Sequence, residues 1–220
     1  MKLAITAATG LELKEASTLI QEENRHEIIF CITGVGLLSA AFALTKIIFE
    51  EKPDLILQIG IAGTFHEEMK LSDIVVVKEE VLADMGVMED GKWKDIFDLN
   101  LAAPDEPPFE NKLLTNPWLS KFNLLHLPEV TDVSVNCITT EDKEIRRLKE
   151  KYDPVTESME GAALHYVCTK MNIPFLQIRA ISNYVGERDK SKWEIKKAVD
   201  NLATTIINYI GKLQKKLSSD

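Results

Sequence analysis

Three stretches of the chain carry side chains able to move a proton or grip a polar ligand. Glu12 stands at the start of a helix-like segment, just after a short apolar run. A carboxylate there serves either as a general base at a sheet edge or as a first-turn charge complementing the helix dipole. Glu157-Ser158-Met159-Glu160-Gly161-Ala162-Ala163 passes from an extended segment into a helix of tiny residues, with Met159 and Glu160 at its mouth. A carboxylate in that position can accept both hydroxyl protons of a ribose diol, and a thioether makes a flexible apolar bed for a sugar. An ordinary N-terminal helix glutamate is the bland alternative.

The third stretch, Gln177-Ile178-Arg179-Ala180-Ile181-Ser182-Asn183, is a strand running into a polar loop. Arg179 sits among apolar residues, and an unpaired buried charge is costly. It therefore calls for a carboxylate partner, with Glu12 and Glu160 as candidates. Asn183 offers both a donor and an acceptor, suited to reading the edge of a base or to closing an Asx-turn.

Other chemistries find no pattern to stand on. Gly34-Val35-Gly36 lacks the third glycine of a dinucleotide fingerprint, because position 39 is Ser. There is no phosphate-loop lysine motif and no nucleophile elbow. His26, His66, His126 and His165 have no ligand spacing, so neither a metal nor a cofactor is expected.

The elements that must bring these residues together alternate almost from end to end. Apolar runs at Lys2–Ala7, His26–Ile32, Asp54–Ile59, Asp73–Val77, Val130–Ile138 and Phe175–Ile181 predict strands. Leu11, Leu13, Ala16, Leu19 and Ile20 recur at helical spacing, and further helices are predicted at about 37–50, 141–151 and 159–171. A final helix is expected to open at Ser191 with Glu194 completing a capping box, and to bury Ile195, Val199, Leu202, Ile206, Ile210, Leu213 and Leu217. Residues 84–117 break the rhythm with clustered Gly, Asp, Glu and Pro, and read as an excursion from a single domain spanning 1–220. The pattern implies an α/β fold, a three-layer α/β/α arrangement around a central mixed, largely parallel sheet. Ligands bind such sheets beyond the carboxyl ends of the strands. The loops expected there are 8–12, 33–36, 60–64 (with Ile61, Ala62 and Gly63) and 182–186, the last holding Ser182 and Asn183.

Composition narrows the partners. A net charge of -9 opposes a nucleic-acid footprint or an anionic membrane surface. No run of 18 apolar residues exists, and no cleavable leader is visible at Met1, so a cytoplasmic protein is expected. Cys31, Cys137 and Cys168 are odd in number and sit among apolar neighbours, which predicts buried, reduced thiols.

Taken together, the residues at 8–12, Thr33-Gly34-Val35-Gly36, Gly60-Ile61-Ala62-Gly63, Met159-Glu160-Gly161-Ala162 and Arg179-Ala180-Ile181-Ser182-Asn183 resemble the purine nucleoside phosphorylase and nucleosidase superfamily in order and spacing. Within it the chain is similar to the methylthioadenosine/S-adenosylhomocysteine nucleosidases. It is closer still to the futalosine-cleaving hydrolases of menaquinone biosynthesis, through Ala83-Asp84-Met85-Gly86-Val87 and the 182–189 stretch with Trp193. The resemblance implies that Glu12 activates a water, Met159 and Glu160 hold ribose, and position 183 handles the purine. It also implies a homodimer in which the excursion of one subunit covers the 5′-substituent bound by its neighbour.

Two departures choose among the relatives. Adenine-cleaving nucleosidases carry Asp where this chain has Asn183, and a neutral amide cannot protonate N7. It can donate an N–H to O6 or N7, which suits a 6-oxopurine such as hypoxanthine. Phosphorylases of the superfamily place arginines in the first loop and before the third-strand glycine. Here 9–13 and Gln58 occupy those places, so water rather than phosphate is the expected nucleophile.

Overall fold

A computed structural model describes residues 1–20 and 27–217. His26, the expected start of the second strand, and the Leu19 side chain lie outside the described set. The chain begins β1 (Lys2–Ala7), α1 (Gly10–Ile20), β2 (Glu27–Ile32), α2 (Leu37–Glu51), β3 (Leu55–Thr64) and β4 (Ile74–Leu82). A hairpin of β5 (Gly86–Glu89) and β6 (Lys92–Asp95) follows, then β7 (Leu114–Thr115) and α3 (Leu119–Phe122). The remainder is β8 (Glu129–Ser134), α4 (Asp142–Tyr152), β9 (Thr156–Ser158), α5 (Gly161–Lys170), β10 (Phe175–Tyr184) and α6 (Ile195–Leu217). The excursion at 84–117 is thus partly ordered into strands.

The sheet is mixed and largely parallel, as the alternation implied. β1 pairs in parallel with β2 and β3, β3 with β10, and β4 and β9 with β8. β10–β4, β3–β9 and β4–β7 are antiparallel. An open layered sheet does not describe these pairings: β3, β10, β4, β8 and β9 close a ring, and β1 and β2 extend from the first half of β3. β3 can do this because it is ten residues long. Its start pairs with β1 on one side, and its end, Gly63 and Thr64, turns to β9 on that side.

That length overturns one expectation. Residues 60–64 are not a loop but the continuation of β3, paired to Arg179–Tyr184 of β10, so Ser182 and Asn183, expected in a loop at 182–186, are strand residues as well. The stretch reads as loop because three of its residues, Gly60, Ala62 and Gly63, lack the bulk that marks a strand. The capping box at Ser191 is also absent. Ser191 lies in a short 3-10 turn and bonds Asp189, while the Glu194 carboxylate accepts from Ser72 and α6 starts one residue later. The predicted stripe of α6 is buried from Val199 to Leu213, but Ile195 is half-buried and Leu217 is exposed.

α1 and α6 cover one face of β1, β3 and β10 through Leu13, Ala16, Leu202, Ile206 and Tyr209. α2 and α5 cover the other, with Leu44, Ile48, Leu164 and Cys168 around Ile56 and Phe175. Of the three cysteines only Cys168 is buried; Cys31 is half-buried and Cys137 exposed. Cys137 escapes burial because β8 stops at Ser134 instead of running on to Ile138. None of the described helices is long and apolar enough to cross a membrane.

Candidate active site

The carboxyl ends of β1, β3 and β10 open on a cavity of about 300 Å³, where α/β sheets bind ligands. Glu12, Ile61, Ala62, Gly63, Met159, Glu160, Ser182 and Asn183 all line it. Arg179 is buried beneath them.

Glu12 lies in the first turn of α1. Its Oε2 accepts from the Thr9 N–H at 3.0 Å and the Thr9 hydroxyl at 2.8 Å. Its Oε1 reaches across to β3 and accepts from the Ile61 N–H at 3.0 Å. The carboxylate thus closes the first turn of its own helix and also faces the cavity.

Glu160 immediately precedes α5, which starts at Gly161 rather than Met159. The Gly36 N–H donates to Glu160 Oε1 at 2.9 Å, so the side chain rests on the N-terminus of α2, where the helix dipole favours an anion. Gly36 has φ 88, a backbone geometry that glycine adopts at little cost. Burial raises the Glu160 pKa, and the Arg179 guanidinium and the Gly36 N–H oppose that rise.

Arg179 departs from expectation. Its Nη2 donates to Gln58 Oε1 at 2.9 Å and to Ser158 Oγ at 3.3 Å, and it makes no ion pair among the described residues. It fits because Gly60 lies opposite: a Cβ there would stand 2.2 Å from Arg179 Nη1 and 2.9 Å from Glu12 Oε1. The positive charge is thus lodged beside Glu12 and acts on Glu160 through space, without touching either as an ion pair.

Asn183 is held by its neighbours. The Ser182 hydroxyl donates to Asn183 Oδ1 at 2.8 Å, and Asn183 Nδ2 donates to the Tyr184 carbonyl at 3.0 Å. With its oxygen engaged, the amide has its second N–H left to donate to a ligand acceptor.

Four polar residues, Gln58, Glu80, Asp132 and Glu157, were assigned no site role from the sequence. Gln58 is the main acceptor for Arg179. Glu80 and Asp132 are buried side by side: Ser134 and Gln177 donate to Glu80 at 2.9 and 2.8 Å, and Ser158 donates to Asp132 at 2.6 Å. Burial and then the Asp132 carboxyl push the Glu80 pKa well above the usual carboxylate range, toward a protonated acid. This network underlies the start of α5, since Ser134 Oγ also accepts from the Ala162 N–H. Glu157 completes the set in the cavity wall. No signal in the sequence separates these residues from surface carboxylates on strands, because the closure of the sheet is what buries them.

A buried carboxylate, a second carboxylate on a helix N-terminus and an amide with an N–H to spare around one cavity are side-chain types that N-glycosidic cleavage needs. The family model of the phosphorylase superfamily matches residues 2–213, and the chain belongs to that superfamily. It is similar to the futalosine hydrolase of Thermus thermophilus, with 28% identity over 180 residues, 81% of this chain and 79% of that protein. It is also similar to the 5′-methylthioadenosine/S-adenosylhomocysteine nucleosidase of Bacillus subtilis, with 26% identity over 164 residues, 73% of this chain and 70% of that one. Among solved structures, the native futalosine hydrolase of Helicobacter pylori superposes with a TM-score of 0.81 at 18% identity, covering 96% of this chain and 98% of that one. A methylthioadenosine/S-adenosylhomocysteine nucleosidase from the same organism does so with 0.80 over the same shares. The chain is an N-glycosyl hydrolase of the nucleosidase type.

Proposed function

We propose that the enzyme hydrolyses the N-glycosidic bond of futalosine, releasing hypoxanthine and dehypoxanthine futalosine as a step of menaquinone biosynthesis. The observation carrying this reading is the Asn183 amide, whose oxygen is taken by Ser182 so that an N–H is left to donate. A donor there matches O6 or N7 of a 6-oxopurine. Among the described residues no arginine or lysine lines the cavity, which favours water over phosphate as the acceptor.

In this mechanism the C1′–N9 bond breaks toward an oxocarbenium-like transition state, its electron pair going to the purine. Glu12 takes a proton from the water that attacks C1′. Glu160 accepts the 2′- and 3′-hydroxyl protons, and the Met159 thioether supports the sugar. Backbone at Ile61, Ala62 and Gly63 floors the base, Ser182 fixes the Asn183 amide, and Asn183 stabilises negative charge on the leaving purine. Arg179 orients the site through Gln58 and Ser158. A cytoplasmic homodimer fits the apolar face of α2, where Leu38, Phe42 and Phe49 are exposed. The test is chromatography of the products from futalosine, inosine and methylthioadenosine, with and without phosphate. Release of hypoxanthine from futalosine at a rate independent of phosphate is expected. A phosphate requirement, or methylthioadenosine as the better substrate, would replace this reading.

Asn183→Asp is expected to move kcat/KM toward the 6-amino substrates by about 1–3 kcal/mol, the scale of one mismatched buried hydrogen bond. With aspartate, one oxygen keeps the Ser182 hydroxyl and the other faces the Tyr184 carbonyl. That opposition of two acceptors favours the protonated acid, whose single proton is given up by the Tyr184 carbonyl when it is donated to N7. Competition between futalosine and aminofutalosine on both variants measures the shift, and an unchanged ratio would place base selection elsewhere.

A further inference from the structure

Asn183 is not alone at its level of the sheet. On β3 its register partner is Gly63, and on the other side of Gly63 stands Glu157 of β9. Directly paired residues project to the same face, so Glu157 and Asn183 flank a glycine at a separation of roughly 10 Å, two strand spacings. Gly63 keeps that slot open: a Cβ there would lie 3.2 Å from Asn183 Nδ2 and 3.1 Å from Val185. All three residues line the cavity.

Glu157 is only 8% exposed, and its two oxygens are treated differently. Oε1 accepts from the Thr139 N–H at 3.1 Å. Oε2 is buried and has no hydrogen-bond partner among the described residues. An acceptor left in that condition is costly unless a donor reaches it. Burial, with Asp132 and Asp84 nearby, raises the pKa of this carboxyl, as expected for a group short of donors.

We infer that Glu157 is a specificity-determining residue that accepts the N1–H of a 6-oxopurine lying over Gly63, a claim that rests on the reading of the site as a purine nucleosidase. The donor and acceptor pattern carries the argument. A 6-oxopurine presents a donor at N1 next to an acceptor at O6; a 6-aminopurine presents the reverse. Glu157 and Asn183 offer an acceptor and a donor at the two sides of one slot, the complement of the first pattern. Against adenine they would set acceptor against acceptor and donor against donor, which penalises the wrong base more than a missing contact does.

The experiment measures calorimetric affinities of hypoxanthine, 1-methylhypoxanthine and adenine for the wild type, Glu157→Gln and Glu157→Ala. Free bases make the readout independent of the 5′-substituent. In the wild type, hypoxanthine is expected to bind about 10- to 100-fold tighter than either other base, the scale of a hydrogen bond to a charged group. Glu157→Ala should lower hypoxanthine affinity by that factor while leaving adenine within roughly threefold. Glu157→Gln should narrow the gap between hypoxanthine and adenine, because an amide can turn either a donor or an acceptor to N1. Equal losses for all three bases in Glu157→Ala would reduce Glu157 to a support for Thr139 and overturn the assignment. So would wild-type binding of 1-methylhypoxanthine as tight as that of hypoxanthine, a result that needs no variant to fold. Failure of the parent reading shows separately, as the absence of hypoxanthine release from futalosine.

Discussion

In Glu12→Gln, base release is expected to slow by about 10²- to 10⁴-fold, the usual consequence of removing a general base. The geometry makes this a severe substitution in spite of its small size. Both carboxylate oxygens accept from donors, Thr9 on one side and the Ile61 N–H on the other. An amide must turn its NH2 toward one of those donors, and the buried mismatch costs about 1–3 kcal/mol in addition to the lost base. Hypoxanthine affinity should stay within roughly tenfold, because the purine is proposed to lie over Gly63 between β9 and β10, away from Glu12. Single-turnover rates and calorimetric binding separate the two effects. A variant that releases base at close to the wild-type rate would remove Glu12 from the mechanism. One that loses binding and rate in equal measure would make Glu12 a structural cap only.

Gly161→Ala is expected to be the most damaging single methyl group in the chain. An added Cβ would stand 1.6 Å from Glu80 Oε1 and 2.4 Å from Gln177 Nε2, contacts that no side chain tolerates. Neither neighbour has room to retreat, since Glu80 and Gln177 are fully buried. They also bond each other, and Ser134 bonds Glu80. Overpacking and broken buried hydrogen bonds together predict a loss of about 3 kcal/mol. For a chain of this size that corresponds to a melting temperature lower by roughly 6–12 °C. Activity should fall further than stability, because Glu160 precedes the displaced residue and Ser134, the next partner of Glu80, fixes the Ala162 N–H. Pairing Gly161→Ala with Glu80→Ala tests the cause. If the clash is the source, the double variant loses less than the sum of the single losses. Additive losses in thermal or denaturant unfolding would show that the contact is not responsible.

The sequence by itself determined the order of the main strands and helices and several members of the cavity. Apolar periodicity located the strands and helices because burial of one face is a local requirement that each segment meets with its own residues. Glu12, Glu160, Ser182 and Asn183, with Met159 beside them, stood out because polar side chains directly beside strand and helix ends gather at the carboxyl edge of a parallel sheet. Closure of that sheet was decided only by the tertiary structure. It depends on β3 running ten residues and changing partners at Gly63, and neither event leaves a periodic trace in small residues. The partners of Arg179 were decided at the same level: burial demands satisfaction of its N–H groups, but whether a carboxylate or the Gln58 amide and the Ser158 hydroxyl supply it depends on which strands become neighbours. Glu80, Asp132 and Glu157 were illegible for the same reason. A carboxyl on a strand is an ordinary surface group until a second strand covers it, and only the closed ring of strands makes these three buried groups of the site.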